Sequence, residues 1–448
     1  MKLKNLLPLL LVAFGLMFFN SCKKETVDVT DLLKSVPSSA SGVVVFNVEG
    51  LLSDTGCKIN GHEVTPSKEI EQIISKASTV NQKDFLMIFD GSTGIEPKGA
   101  VVFYDTNKAF LTVALYDVEK FTNFIEQKSG ATFASESNGV KICGNVAVKG
   151  AQAWLCLTPG KRLDPDAIDS YSKLQPSQSF LVSPLGENLL TDESDIRGWI
   201  MLNTYFSQNL DRSNRTMASL GLGMLFENGE SMKFKVDFKK GELEMETVIL
   251  NDQGKPAKFQ LPMEKVDVAT LKTLGTSCQG MMAFTLTPKL VKKFQEIGDT
   301  FGGALFGDIN DFLKNVDGTV GVTASGNIDN EDINGVVTTK GDVSQELKGK
   351  ISELFGSISM DGKLLRFSKG SVSGNLSVDE CADALKGCYF GIVVDAEQFS
   401  QIGVGSFAQG FKSGEVLLKP EGQGIELEIE AKTINEKENA LMTILRNI

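Results

Sequence analysis

The chain has 448 residues, and its 57 acidic side chains outnumber its 45 basic ones, which gives a formal net charge of −12. A field of this sign opposes binding to nucleic acid and to anionic lipid headgroups, so we expect no nucleic-acid partner. The length is enough for two or three average domains, and a hydrophobic fraction of 42% is typical of a protein with a packed core.

The first 22 residues have the pattern of an export signal. Lys2 and Lys4 precede an apolar run from Leu6 to Phe19, and small polar residues then lead to Cys22. The run is shorter than the roughly 20 apolar residues that a membrane-spanning helix needs. A basic start, a short apolar centre and small residues before a cleavage point are typical of a secretory signal. The alternative is a helix that is buried in a domain.

The end of this segment resembles the lipobox of bacterial lipoproteins, which closes on a cysteine. The resemblance implies a signal peptide over residues 1–21, cleavage between Ser21 and Cys22, and fatty acylation of Cys22. Residues 22–35 are predicted to form a short lipidated tether. Because no later segment is apolar enough to span a bilayer, the lipid on Cys22 is the predicted membrane anchor.

Seven cysteines are present, and six remain for disulfides if Cys22 is acylated. An even number in an exported protein permits disulfide bonds. Cys143 and Cys156 lie on neighbouring predicted strands and are the candidate disulfide. Cys381 and Cys388 could pair only if their helix ends between them, because two helical turns separate them by roughly 10 Å. The alternative for all six is a buried free thiol.

A pattern of apolar strand, capping residue, amphipathic helix and strand pair recurs along the chain. Asp117 is predicted to cap the helix of the second copy, and Thr287 followed by Pro288 predicts a helix start in the fourth. The most regular strand pair covers Met232–Phe238 and Leu243–Ile249. Its alternating polar and apolar residues indicate an antiparallel sheet with one face in water.

The openings of the first and fourth copies align without a gap. Ser38–Gly42 matches Thr276–Gly280, and Phe46 matches Phe284. We therefore predict two related halves, residues 36–260 and 270–448. The expected fold class is α+β, with repeated strand-helix-hairpin units in mainly antiparallel sheets and with helices on one face. The alternative is a chance coincidence of strand and helix patterns.

The lipobox, the Val36-Pro37 step, the segment Val43–Leu52 and the tail Asn435–Leu441 together resemble an uncharacterised lipoprotein family of the Bacteroidota. The family is known as domain of unknown function 4836. The resemblance implies a cell-envelope lipoprotein and carries over no functional residues. Surface-exported lipoproteins of that phylum tend to have acidic residues directly after the cysteine. Lys23-Lys24-Glu25 matches this only in part, so we predict the periplasmic face of the outer membrane, with the cell surface as the alternative.

Motifs for catalysis, metal binding and cofactors are scarce. The single histidine, His62, lies in a predicted loop and is expected to be solvated. The chain has no Gly-x-Ser-x-Gly elbow and no His-rich metal motif, so we expect no catalytic, metal or cofactor residues. A glycosidase needs only two carboxylates, and 57 acids leave a carboxylate-dependent hydrolase as the alternative function.

Each half contains an apolar helical segment that is interrupted by glycine, Met217–Phe226 in the first and Phe301–Phe306 in the second. Glycine weakens a helix by about 1 kcal/mol relative to alanine, so such segments need close packing or mobility in return. We predict an apolar contact surface formed by Leu222, Leu225, Phe301 and Phe306, which would take a hydrophobic ligand or a helix of a protein partner. The alternative is that both segments pack onto their own sheets. The expected function is therefore non-catalytic binding or scaffolding in the cell envelope.

Overall fold

The computed structural model describes residues 29–76, 93–105, 107–135, 137–300, 313–327, 330–396 and 410–447. The predicted signal peptide, Cys22 and the first part of the predicted tether lie outside these residues. Helix α1, Val29–Lys34, buries Leu32 and Leu33. The end of the predicted tether is therefore part of the folded chain, because α1 contributes side chains to the core.

Twenty-four strands are found within the described residues. They are β1 (Gly42–Asn47), β2 (Lys58–Asn60), β3 (Glu63–Thr65), β4 (Ile95–Asp105), β5 (Lys108–Leu115), β6 (Ala134–Ser135), β7 (Lys141–Cys143), β8 (Val146–Lys149), β9 (Gln152–Cys156), β10 (Ile196–Met201), β11 (Phe226–Glu227), β12 (Ser231–Lys239), β13 (Glu242–Leu250), β14 (Lys258–Phe259), β15 (Ser277–Cys278), β16 (Gly280–Leu286), β17 (Val316–Asn327), β18 (Asn330–Thr339), β19 (Ser357–Asp361), β20 (Leu364–Lys369), β21 (Leu376–Ser377), β22 (Phe390–Asp395), β23 (Phe411–Glu421) and β24 (Gly424–Thr433).

The α-helices of the same residues follow α1 in chain order. They are α2 (Val48–Asp54), α3 (Lys68–Lys76), α4 (Val118–Ser129), α5 (Pro165–Ser172), α6 (Pro184–Thr191), α7 (Leu202–Asn209), α8 (Arg212–Leu225), α9 (Val268–Leu271), α10 (Pro288–Thr300), α11 (Gln345–Phe355), α12 (Val378–Ala384) and α13 (Ala440–Asn447). None of these described helices is long and apolar enough to cross a membrane.

Two predicted helix starts are confirmed at the level of single hydrogen bonds. The Asp117 carboxylate accepts a hydrogen bond from the backbone N–H of Lys120 at 2.9 Å, and α4 begins at Val118. The Thr287 hydroxyl accepts one from the N–H of Leu290 at 3.2 Å, directly before α10. A side-chain oxygen at this position satisfies a backbone donor that has no partner within the helix.

The chain divides into two compact units. The first comprises residues 1–216 and 230–239, and the second comprises residues 217–229 and 240–448. The division falls earlier than between the predicted halves 36–260 and 270–448. Strand β13 belongs to the second unit because it pairs with β24 from Glu242 to Val248.

The sheet of the first unit has the strand order β12-β10-β1-β4-β5-β9-β8-β7-β6, and every neighbouring pair is antiparallel. The sheet of the second unit has the order β13-β24-β23-β22-β16-β17-β18-β20-β19, again with antiparallel pairs throughout. The predicted α+β class with mainly antiparallel sheets is therefore confirmed.

The prediction that helices cover one face of the sheet is wrong in the first unit. Tyr171 of α5 packs its ring against Phe103 and Phe110, at centroid distances of 5.4 and 5.6 Å. Helix α4 covers the opposite face, where Phe121 and Leu111 line one small apolar cavity of about 30 Å³. Strand β5 is buried at Phe110, Leu111 and the residues up to Leu115, because helices press on both its sides.

Helices also lie on both faces of the second unit's sheet. Two neighbouring residues of β18 show this, because the side chains of successive residues in a strand point to opposite faces of the sheet. Val336 belongs to a core cluster with Cys381 of α12, whereas Val337 belongs to a second cluster with Leu347 of α11. The sequence pattern missed this arrangement because a strand that is buried on both sides has no polar alternation.

Candidate functional site

Helix α8 presents large apolar side chains to solvent. None of its 14 residues is buried. Met217 is 54% exposed and Leu220 is 51% exposed, although both are large hydrophobic residues. Met224 lies on the same side of the helix, at the spacing of three and four residues that places side chains on one face.

A second apolar strip runs beside the first. Ala218, Leu222 and Leu225 are half-buried and lie three to four residues apart. Together the two strips make more than half of the circumference of residues 217–225 apolar. We call Met217, Leu220, Leu222, Met224 and Leu225 the α8 surface. Leu222 and Leu225 were predicted to belong to a contact surface, whereas Phe301 and Phe306 lie outside the described residues.

Two glycines within α8 have empty space beside them. A Cβ atom built on Gly221 or Gly223 meets no heavy atom within 4 Å, apart from the helix's own backbone. The sequence predicted that these glycines allow close packing or mobility. Close packing within the described chain is not the reason, because nothing lies near enough to pack. The weakening of the helix by two glycines, about 1 kcal/mol each, is thus not offset by internal contacts.

The ends of α8 are fixed although its faces are open. At the start, the Asp211 carboxylate accepts a hydrogen bond from the N–H of Asn214 at 2.9 Å, and this bond lowers the pKa of Asp211. At the end, the N–H of Gln260 donates to the carbonyl of Leu225 at 2.8 Å, and its side-chain amide donates to the carbonyl of Gly223 at 3.3 Å. The helix is therefore held at both ends with an apolar surface exposed.

A ladder of six glutamates crosses two neighbouring strands of the second unit. Glu244 stands opposite Glu430 and Glu246 stands opposite Glu428 in the pairing of β13 with β24. With Glu242 and Glu426 these residues form what we call the glutamate ladder. Like charges that stand directly opposite each other on a sheet are destabilising.

The ladder shifts the pKa values of two of its own members. Burial first, and then a hydrogen bond with Glu428 and the charges of nearby glutamates, raise the pKa of Glu430 to about 8. Burial and a hydrogen bond with Glu246 raise the pKa of Glu426 to about 7. A carboxylic acid that keeps its proton beside ionised carboxylates is the arrangement that acid–base enzymes use.

Two lysines compensate part of the ladder's charge. Lys419 lies 2.6 Å from Glu428, and Lys432 lies 2.5 Å from the buried Glu415 on β23. Oxygen atoms of Glu242, Glu244 and Glu430 lie within 4.8 Å of one another, which is a minimal ligand set for a hard divalent cation.

His62 was predicted to be solvated, but its side chain lies against a buried carboxylate. Its side chain is 24% exposed, and its Nδ1 atom lies 2.6 Å from Oε2 of Glu96, which is 1% exposed. The imidazole also stacks on the ring of Tyr116 at 5.0 Å. Burial raises the pKa of Glu96, while His62 and Lys98 oppose that rise.

All six described cysteines are free thiols, and the predicted disulfide between Cys143 and Cys156 is wrong because these two side chains face opposite sides of the sheet. Cys143 stands opposite Val146, which in turn stands opposite Leu155, so these three side chains share a face. Cys156 follows Leu155 and therefore points the other way. The two strands are also not neighbours, as was predicted, because β8 lies between β7 and β9.

No known family and no curated protein matches the chain in sequence. Among solved structures, crystal forms III and IV of TP0453 are similar at 12% identity, with a TM-score of 0.29, over 79% of this chain and 96% of that one. Crystal form I of TP0453 is similar at 12% identity, with a TM-score of 0.27, over 80% of this chain and 98% of that one. Similarity at this level assigns neither family nor function, so the resemblance to the Bacteroidota family stays a prediction.

Proposed function

We propose that the protein is a lipid-anchored component of the cell envelope that works by non-catalytic binding through the α8 surface. The observation that carries the proposal is the exposure of Met217 and Leu220 on a helix in which a Cβ atom added to either glycine would meet nothing in the described chain. Exposed apolar surface of this kind on a helix held at both ends is typical of an interaction site.

The anchor is Cys22, after removal of residues 1–21, at the periplasmic face of the outer membrane. Six residues lie between Cys22 and Val29, where α1 begins. An extended chain of that length reaches at most about 25 Å, so α1 would stay close to the bilayer. Replacement of Cys22 by Ser is expected to abolish fatty-acid labelling, and labelling that persists in this variant would refute the anchor.

The occupant of the α8 surface is an apolar helix of a protein partner. Small residues on a helix let the backbone of a second helix approach closely, and Gly221, which lies between the two apolar strips, leaves that space open. Methionine side chains adapt to different partner surfaces. The chain's net charge of −12 opposes an anionic membrane surface as the occupant.

Photo-cross-linking in intact cells tests this occupant. A photoreactive residue at Leu220 is expected to form one discrete adduct with another protein, identified by mass spectrometry. The matched control is the same residue at Leu354, an apolar side chain of α11 that is 61% exposed. Equal adducts at both positions would contradict a specific surface. A lipid adduct, or one with a second copy of the chain, would refute the proposed occupant.

We also propose that the chain consists of two related halves. Support comes from strand order, because β12-β10-β1-β4-β5-β9-β8 in the first unit has the same succession of hairpins and crossovers as β23-β22-β16-β17-β18-β20-β19 in the second. The aligned openings lead into β1 and β16, which occupy the same place in the two orders. An experimental structure in which these strand sets fail to superpose would refute the repeat.

The alternative function is a carboxylate-dependent hydrolase of the envelope, and the glutamate ladder is the observation that favours it. Glu430 would be the acid, because its pKa of about 8 keeps it protonated near neutral pH, and Glu242 or Glu244 would be the carboxylate partner. If this alternative holds, Glu430→Gln abolishes hydrolysis of envelope glycans. If binding is the function, that variant keeps the photo-adduct at position 220.

A further inference from the structure

Two cysteines that are far apart in the sequence meet in the core of the second unit. Strand β15 ends at Cys278, which stands opposite Leu376 of β21. Helix α12 begins directly after β21, capped by the Ser377 side chain, and Cys381 lies on its buried side. The N–H of Val378 also donates a hydrogen bond to the carbonyl of Thr276 at 3.2 Å, which ties the start of α12 to the approach of β15.

The two free thiols lie in the same buried hydrophobic cluster, where Cys278 is fully buried and Cys381 is 3% exposed. The side chain of each is the largest influence on the pKa of the other, as expected for two sulfurs that lie near each other. Apolar side chains such as Met281 and Leu385 surround them.

The other described cysteines are placed differently. Cys143 and Cys156 face opposite sides of their sheet. Cys57 lies 3.2 Å from the hydroxyl of Thr55. Cys388 has its Sγ atom 4.0 Å from the carbonyl of Ala384, one turn back along its own segment. The pairing of Cys381 with Cys388, weighed from the sequence, is therefore replaced by a pairing of Cys381 with Cys278.

The proximity of the two thiols also shifts their pKa values in opposite directions. The hydrogen bond from Cys381 is the main cause that lowers the pKa of Cys278, and the same bond is the main cause that raises the pKa of Cys381. Cys278 is thus the better thiolate of the pair, and the thiolate is the nucleophile in disulfide exchange.

We propose that Cys278 and Cys381 form a disulfide bond in the exported protein. The bond forms during folding, after the two thiols have come together and before the core closes over them, by exchange with the disulfide of an envelope thiol–disulfide oxidoreductase. The Cys278 thiolate attacks that disulfide and forms a mixed disulfide, and the Cys381 thiolate then displaces the enzyme's sulfur. The two cysteines lose two electrons and two protons, and the oxidoreductase is reduced to its dithiol.

The expected consequence is greater stability of the second unit. The bond closes a loop of about 100 residues, and long loops lose the most freedom in the unfolded chain when they are closed. The proposal rests on the proposed envelope location, because disulfides persist in oxidising compartments and are rare in the cytosol.

Refolding in a glutathione redox buffer tests the pair without reference to location. The full chain carrying Cys22→Ser is refolded from the reduced, denatured state, alkylated and digested. A peptide pair joined through Cys278 and Cys381 is expected. Addition of reductant is expected to lower the melting temperature by about 5–10 °C. Alkylation of both thiols, or a bond from either one to another cysteine, would overturn the proposal.

Two double variants serve as controls. The reductant-dependent shift is expected to vanish in Cys278→Ala/Cys381→Ala and to persist in Cys143→Ala/Cys156→Ala, which also removes two buried thiols. Protein recovered from cells gives the second arm. If it carries fatty acid on Cys22 but both thiols remain free, the disulfide is overturned. If it carries no fatty acid, the proposed function fails, and the refolding result alone decides whether Cys278 and Cys381 form a disulfide.

Discussion

At the scale of single residues, Glu430 makes the stability of the second unit depend on pH. Its folded-state pKa of about 8 lies above the value of 4.5 for a free glutamate side chain, so the folded protein holds a proton that the unfolded chain has already released. The free energy of unfolding therefore falls as pH rises from about 4.5 to about 8. Below that window Glu430 is protonated in both the folded and the unfolded state. Above it, the loss in free energy of unfolding no longer changes with pH.

Replacement of Glu430 by Gln is expected to remove much of this decline. The variant should melt at a higher temperature than the parent at pH 8 and close to the parent at pH 4.5, because glutamine carries no charge in either state. Melting temperatures between pH 4.5 and pH 8.5 measure the effect, with the exposed Glu353→Gln on α11 as the control. Parallel pH profiles for the parent and Glu430→Gln would contradict the account.

The contact of His62 with Glu96 is expected to stabilise the first unit. Glu96 is 1% exposed, and a buried polar group that loses its partner is left with an uncompensated cost of desolvation. We expect His62→Phe, which keeps a ring to stack on Tyr116, to reduce the free energy of unfolding by about 1–3 kcal/mol. Urea unfolding measures it. The same change should matter much less in a Glu96→Gln background, and additive effects would contradict a specific pair.

Single residues were predictable where their partners are close in sequence. Asp117 and Thr287 bond to N–H groups three residues away, so local pattern was enough. The partner of His62 lies 34 positions away at Glu96, and only the fold brings them together. The glutamate ladder was hidden for the same reason. The alternating glutamates predict that β13 and β24 each have one polar face. Only the register of the pairing shows that glutamates of the two strands stand opposite each other.

At the scale of elements, the open surroundings of the α8 glycines predict that replacing them by alanine stabilises the protein. Replacing Gly221 and Gly223 by Ala is expected to stabilise the isolated protein by about 1 kcal/mol each, because alanine favours the helix and the new Cβ atoms meet nothing. The Gly221 variant should also weaken the photo-adduct at position 220, since its methyl group fills the space left for a partner. Denaturant unfolding and cross-linking together measure both effects.

The matched control is Gly94→Ala in the first unit. Gly94 has a φ of +80°, and a Cβ there would lie 2.3 Å from the carbonyl oxygen of Asp117. This variant should lose stability, because the backbone is strained and the neighbouring atom belongs to the main chain. If all three alanine variants lost stability alike, α8 would not have the open surroundings described.

Elements were predictable where polar and apolar residues alternate along them. The strands Met232–Phe238 and Leu243–Ile249 were predicted within one residue of the limits of β12 and β13 at all four ends, although residues on both faces of these strands are half-buried. The burial of both sheet faces under helices was not predictable, because β4 and β5 are apolar on both sides and their sequences do not alternate. Length and an unbroken apolar run could have indicated burial on both faces.

At the scale of the whole molecule, composition and periodicity were enough for the α+β class and for mainly antiparallel sheets. They were not enough for the division between units, which depends on the pairing of β13 with β24. The predicted tether was too long for a similar reason. The segment Val29–Lys34 is short and partly polar, and only the core that it joins reveals Leu32 and Leu33 as buried.

The central claim is that the α8 surface is covered by a partner in the cell envelope. Hydrogen–deuterium exchange with mass spectrometry tests it most directly, by comparing residues 217–225 in purified protein and in envelope vesicles, with α11 as the reference helix. A helix with no buried side chain and two glycines opens easily, so fast exchange is expected in the purified protein. The account predicts at least about tenfold slower exchange of this segment in vesicles and no change in α11. Equal exchange of residues 217–225 in both preparations would contradict it.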